Sequence, residues 1–294
     1  MTPTMTGSRP ITAVAWAFLA AALFSMQDAL VKWLAEGLPL FQLMFVRALI
    51  AVPLMWIVMR VRYGPGSLRT RKPLEHSLRA LTNISAFLCH YYAVSRMPLA
   101  DAVAISLSAP LFVTALSGLV LREPADFKRK VALVIGFLGM LFVVQPTGEV
   151  DWIGVGAAIL GSILFATLAI WSRYLSATES TELMVFYGAS GFLIVTGVTM
   201  PFVWQSPSGW ELGLMIVLSL ISLSAQFSTT HSFRFAPVYV VAPVEYVVII
   251  WAVFFGWVLF DQLPTFVMLL GAAIVIGGGL YILQLERGDF SKTQ

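Results

Sequence analysis

Long apolar stretches, each about the length of a bilayer crossing, alternate along this chain with short clusters of turn-forming residues. Ten can be marked, at about 12–33, 40–60, 76–95, 99–121, 130–146, 152–174, 181–202, 210–232, 238–260 and 264–284. The breaks carry turn chemistry: Gly37-Leu38-Pro39, Gly64-Pro65-Gly66, Met97-Pro98, Arg122-Glu123-Pro124, Pro146-Thr147-Gly148, Ser206-Pro207-Ser208-Gly209, Ala236-Pro237 and Leu263-Pro264. Within hydrocarbon every backbone N–H and C=O must be satisfied inside its own segment, so the runs predict helices. A membrane strand would alternate polar and apolar residues, and these runs do not. The expected fold is an all-α integral membrane protein of ten transmembrane helices.

Composition agrees. Of 294 residues, 59% are hydrophobic and 11% charged, against roughly 45–50% and about 25% in soluble domains. A helix needs about 20 residues to cross, so ten helices leave no room for a large domain outside the membrane. The net charge of +3 implies no nucleic-acid partner, because the basic residues are placed for topology. With alternating crossings, fifteen of the eighteen Lys and Arg fall on the side of the N-terminus, from Arg9 through Arg60–Arg79, Arg122–Lys130, Arg173 and Arg234 to Lys292. Lys32 and Arg96 fall on the other side, and Arg47 lies inside a span. Basic loops stay cytoplasmic. The expected location is the inner (plasma) membrane, multi-pass, with both termini inside.

The two halves are alike. Ala22-Leu23-Phe24 through Lys32-Trp33-Leu34 resembles Ile163-Leu164-Phe165 through Arg173-Tyr174-Leu175, 141 residues on. Ser95-Arg96-Met97-Pro98 resembles Phe233-Arg234-Phe235-Ala236-Pro237. Glu123-Pro124 resembles Asp261-Gln262-Leu263-Pro264. The units are 12–146 (helices one to five) and 152–285 (helices six to ten). Five is odd, so the second unit enters the membrane upside down. Inverted repeats around a midplane site are a build of secondary transporters.

Several segments resemble one family. They are Phe41-Gln42-Leu43-Met44-Phe45-Val46-Arg47, Tyr92-Ala93-Val94-Ser95-Arg96-Met97-Pro98-Leu99-Ala100-Asp101-Ala102, Ser108-Ala109-Pro110-Leu111-Phe112, Leu121-Arg122-Glu123-Pro124 and Gly136-Phe137-Leu138-Gly139. In the second half, Ala242-Pro243-Val244-Glu245-Tyr246 and Gly256-Trp257-Val258-Leu259-Phe260-Asp261 join them, with Asp261 where Glu is usual. The chain resembles the drug/metabolite transporter superfamily, specifically proteins with two EamA domains. The resemblance implies ten helices around a central cavity and alternating access. The segment Met26–Lys32 and the Glu245 region are most similar to those of bacterial carriers of S-adenosylmethionine and riboflavin.

Charges inside spans cost about 2.5–3.5 kcal/mol on insertion scales, and each needs a reason. Asp28, Arg47 and His90 are expected in one layer, roughly 8–10 Å below the outer surface at 1.5 Å per residue. An Asp28–Arg47 pair would cancel both charges, with Lys32 as competitor. Such a pair is either a clamp between helices one and two or a substrate grip and outer gate. Tyr91 and Tyr92 offer aromatic faces beside His90. Glu245, Tyr246, Gln226 and Tyr187 are expected in the opposite layer. Glu245 has no basic residue at its depth in the sequence, which makes it the candidate proton-responsive or cation-binding group; the alternative is a neutral acid hydrogen-bonded to Tyr or Gln. Pro110 and Pro243 would disturb their helices and free carbonyls nearby.

No Walker loop, HExxH or Cys/His cluster is present. The sequence thus predicts no cofactor, no metal, no catalytic residue, and no ATP-driven step of its own. The expectation is a non-ATP carrier of a small organic metabolite, with S-adenosylmethionine, riboflavin or an amino acid as candidates, working in lipid as a monomer or homodimer. An integral-membrane enzyme or a channel remains the alternative.

Overall fold

The structure, a computed structural model, describes residues 10–64, 68–120, 127–144, 150–175, 178–235, 241 and 244–292. Pro243, the Arg122–Pro124 turn and Ala236-Pro237 lie outside them. The described residues are helical, with no strand. The helices are α1 (Pro10–Leu34), α2 (Leu40–Tyr63), α3 (Pro73–Arg96), α4 (Leu99–Ser106), α5 (Ala109–Val120), α6 (Phe127–Val144), α7 (Trp152–Leu175), α8 (Thr181–Val203), α9 (Gly209–Phe235), α10 (Val248–Phe260) and α11 (Phe266–Lys292). Among the described residues, six stretches are long and apolar enough to cross a membrane: Ile11–Leu34, Leu40–Tyr63, Leu99–Leu116, Trp152–Ser172, Glu182–Val203 and Gly209–Thr229. Val131–Val144, Val248–Phe260 and Phe266–Tyr281 are shorter apolar helices.

The fourth apolar run is two helices. Pro110 lacks an N–H and its ring clashes with the carbonyl four residues back, so α4 cannot continue through it. The chain turns at Leu107-Ser108. The Ile105 carbonyl is taken up by the Ser108 amide (3.0 Å), the Ser108 hydroxyl (2.6 Å) and the Ser162 hydroxyl (3.2 Å). The ninth run is interrupted likewise: Val244-Glu245 is helical, Tyr246-Val247 is a turn, and α10 starts at Val248.

Helices pack across the two halves of the chain more than within them. The broadest pairings are α1 with α9, α3 with α7, α2 with α8, and α6 with α11. Lesser ones join α1 to α10, α5 and α4 to α7, α3 to α8, and α2 to α9. Exchanging each of the first five runs for the run five later maps this set of pairs onto itself. The α6–α11 pair touches backbone to backbone. A Cβ on Gly271 would lie 2.6 Å from the Val143 amide nitrogen and 2.7 Å from the Gly139 carbonyl oxygen. Only the missing side chains allow that approach.

The connections gather at two ends. At one, Arg96 pairs with Asp151 (2.7 Å), Gln42 and Gln205 exchange two hydrogen bonds (2.7 and 2.9 Å), and Gln262 accepts from the Leu99 amide (3.1 Å). At the other, Tyr63 donates to Glu182 (2.7 Å), Thr70 to Glu179 (2.8 Å) and Trp171 to Glu75 (2.7 Å). The two large apolar clusters, around Val94–Ile105 with Ala252 and Met268 and around Leu30–Met44 with Met215 and Leu218, fill the half toward the Arg96–Asp151 end. That half is packed shut.

Candidate functional site

Two cavities lie from the middle of the bundle toward the Glu182 end. The first, about 380 Å³, is lined by α1 (Phe24, Gln27, Asp28), α3 (Phe87, His90), the α4–α5 break (Ser106, Leu107), Phe165 on α7, Thr229 and Ser232 on α9, and Glu245 at the second break. It lies where both helices are interrupted, as sites in discontinuous-helix transporters do. Among the described residues, no Lys or Arg lines it.

Asp28 and His90 meet inside it. Nε2 of His90 is 3.1 Å from Oδ2 of Asp28, and Nδ1 is 3.0 Å from the Ser106 hydroxyl. The Ser106 hydroxyl is also 3.0 Å from the Ala102 carbonyl. A hydroxyl has one proton and a carboxylate only accepts. When Ser106 donates to Ala102, both ring nitrogens must donate, and the ring is an imidazolium facing Asp28. When Ser106 turns its proton to Nδ1, the ring is neutral. Glu245 opens into the same cavity, and its carboxylate makes no hydrogen bond or ion pair among the described residues. The carbonyl oxygen of the buried Gln27 side chain is also without a partner there.

The second cavity, about 260 Å³, is lined by Arg47, Arg79, Asn83, Phe87, Met184, Ser222 and Gln226 among others. Arg47 donates to the Tyr91 hydroxyl (2.6 Å) and lies 4.9 Å from the centre of the Phe87 ring. Arg79 donates to the Ser172 hydroxyl and the Met184 carbonyl, both at 3.0 Å.

The candidate residues are thus regrouped. Asp28 pairs with His90, and the expected Asp28–Arg47 contact does not form; α1 packs on α9 and α10 and barely touches α2. Lys32 does not compete for Asp28 either. It donates to the Val94 and Met97 carbonyls (3.0 and 2.6 Å) and so closes the end of α3. Glu245, expected in a layer opposite Asp28, shares its cavity. Gln226 lines the second cavity beside Arg47. Tyr91 is buried and acts through Arg47. Tyr92, Tyr187 and Tyr246 line neither cavity. Tyr92 is half-exposed, Tyr187 stacks on His76 and donates to the Leu68 carbonyl (2.9 Å), and the buried Tyr246 hydroxyl sits without a partner beside Gly279. Sequence reasoning missed Arg79, Asn83, Phe87, Ser106 and Gln27. Arg79 falls three residues into the run marked from 76, a second cation inside a span beside Arg47, yet the topology count sets it among the cytoplasmic charges.

Residues 11–145 match the model of the EamA-like transporter family. The first half of the chain is thus EamA-like. Curated relatives extend the match to nearly the whole length. A Rickettsia conorii protein named S-adenosylmethionine uptake transporter is 28% identical over 96% of both chains. A Pseudomonas aeruginosa pseudopaline exporter is 28% identical over 92% of this chain and 96% of its own. A Vibrio cholerae riboflavin transporter is 25% identical over 94% of each. A solved crystal structure superposes with a TM-score of 0.64 at 17% identity, covering 94% of this chain and 98% of that one, and shares the fold. The chain is therefore a multi-pass membrane protein related along nearly its whole length to transporters of small metabolites. Its relatives include both an uptake protein and an exporter, so the relationship sets no direction.

Proposed function

We propose that this protein is a secondary transporter that carries a positively charged organic metabolite by alternating access, with the first cavity as its substrate site. The observation that carries the reading is the lining of that cavity. Among the described residues, two carboxylates and a histidine, with no Lys or Arg, face three aromatic rings where two helices are broken. Carboxylates in low dielectric attract a cation strongly, and aromatic faces add to that attraction. Of the substrates named for the relatives, S-adenosylmethionine carries a fixed sulfonium charge and suits this lining; riboflavin has no such charge. The exchange-symmetric packing supports two inverted repeats, 12–146 and 152–285, and the alternation of connections between two ends supports ten crossings. The count of basic residues supports cytoplasmic termini; with that orientation both cavities lie in the cytoplasmic half and the state is inward-facing.

The test is flux of labelled S-adenosylmethionine in proteoliposomes. Saturable uptake that accelerates with trans substrate is expected, strongly reduced in Asp28→Asn and Glu245→Gln at matched protein levels. Flux that rises linearly without saturation, or variants indistinguishable from the parent, would overturn the site.

A further inference from the structure

The second cavity carries the opposite charge. Arg47 and Arg79 both line it, together with Asn83 and Gln226, and among the described residues no Asp or Glu lines it. No carboxylate among the described residues lies within salt-bridge distance of either guanidinium. Both arginines are half-buried, and a charge drawn partly out of water without an opposite charge keeps part of its desolvation cost. Each guanidinium has five N–H donors. Among the described residues Arg47 uses one of them and Arg79 two. The remaining donors, in the fixed fork of a guanidinium, match a carboxylate.

The two cavities are neighbours. Phe87 lines both. On α3, Arg79, Asn83, Phe87 and His90 follow one another at helical spacing along one face. That stripe runs from the guanidiniums of one cavity to the Asp28–His90 pair of the other, with the Phe87 ring between. Arg47 reaches the same ring from α2. A molecule lying along the stripe meets positive charge at one end and negative charge at the other.

We propose that the second cavity is an anion subsite that takes the carboxylate of a zwitterionic, amino-acid-like substrate whose cationic part lies in the first cavity. The proposal rests on the functional reading above and narrows its substrate class from cations to zwitterions. Arg79 and Arg47 hold the carboxylate, Asn83 and Gln226 offer amide contacts beside them, and Phe87 sets the spacing between the charges.

Binding to the purified full-length protein in nanodiscs tests it with three probes. S-Adenosylmethionine has both charges, its decarboxylated derivative has only the cationic ones, and methylthioadenosine has neither. The parent protein should bind S-adenosylmethionine at least tenfold more tightly than the decarboxylated derivative, and methylthioadenosine more weakly than either. Arg79→Gln should erase that preference while changing the affinity for the decarboxylated derivative by less than twofold, and Arg79→Lys should keep part of it. Equal affinity of the parent protein for the two cationic probes, both weakened by Asp28→Asn, would overturn the anion subsite and leave the cation site standing. An Arg79→Gln protein that loses both probes equally would likewise overturn it. A parent protein that binds neither cationic probe would overturn both readings. The ratio measured on the parent protein needs no variant, so misfolding of Arg79→Gln leaves the test intact.

Discussion

The regrouping of charges makes a quantitative claim about which residues are coupled. Asp28 and His90 are 3.1 Å apart, with side chains 8% and 10% exposed. A hydrogen bond to a charged group contributes about 1.5–3 kcal/mol. Both side chains border a cavity that already exists, so truncating either to Ala enlarges a space and leaves the apolar packing around it in place. Asp28→Ala and His90→Ala should each destabilise the protein, and the double variant should fall short of the sum by about 1.5–3 kcal/mol. The same cycle run on Asp28 and Arg47 should be additive to within about 0.5 kcal/mol, as for residues that share no contact. Arg47 and Tyr91, 2.6 Å apart, should couple like the first pair when tested with Arg47→Gln and Tyr91→Phe. Reversible denaturant unfolding in mixed micelles, followed by tryptophan fluorescence, supplies the free energies. Coupling between Asp28 and Arg47 larger than that between Asp28 and His90 would refute the pairing described here and restore a clamp between the first two helices.

Three further outcomes follow from other parts of the molecule. Gly271→Ala would press a methyl group against the backbone of α6, which cannot rotate away; it should cost at least ~1–3 kcal/mol, whereas Gly277→Ala, which meets nothing within 4 Å, should be neutral or stabilising in the same unfolding assay. Lys32→Met should cost about 2–4 kcal/mol by leaving the Val94 and Met97 carbonyls unpaired in a buried setting, and Lys32→Arg should recover much of it. Asp151 caps α7 through Ile153 and Gly154, and the Gly154 amide, then Arg96, hold its carboxyl below the usual carboxylate range. Its folded pKa is the lower one, so its contribution is complete above the unfolded value of about 3.9 and fades as pH falls through the folded value; the stability difference between the parent protein and Asp151→Ala should be flat from pH 7 to 5 and shrink below 4.

The helices were legible because hydropathy alone marks them. Runs expected at 12–33, 40–60 and 152–174 appear as Pro10–Leu34, Leu40–Tyr63 and Trp152–Leu175. Residue count converts directly to rise along an unbroken helix, which gives each residue an expected depth. Adjacency was not legible. Asp28 and Arg47 share a depth, yet depth says nothing about which helix stands next to which, and α1 turns its polar face to α3 and α9 instead of α2. Glu245 was misplaced for a related reason: a broken helix no longer converts count to depth. Arg79 shows a third limit, because a cation in the first turn of a run counts as readily for the loop before it as for the cavity it lines.

The closed half also bears on how far this protein has to travel between states. Its large clusters are apolar, but in a bilayer apolar packing carries little of the driving force it has in water, since lipid tails are as apolar as leucine. What ties the two halves of the chain together at that end is the Gln42–Gln205 exchange and the Leu99–Gln262 bond, three hydrogen bonds at about 1 kcal/mol each, with the exposed Arg96–Asp151 pair adding little. A barrier-side difference of about 3 kcal/mol is within reach of one ligand, because reversing a 1:99 population takes about 5.5 kcal/mol of differential affinity. A substrate that holds the two cavities together through Phe87 can supply that difference, since it contacts α1, α2, α3, α7 and α9 at once. A ligand confined to one cavity touches fewer of the helices that must move, and shifts the equilibrium less for the same number of contacts.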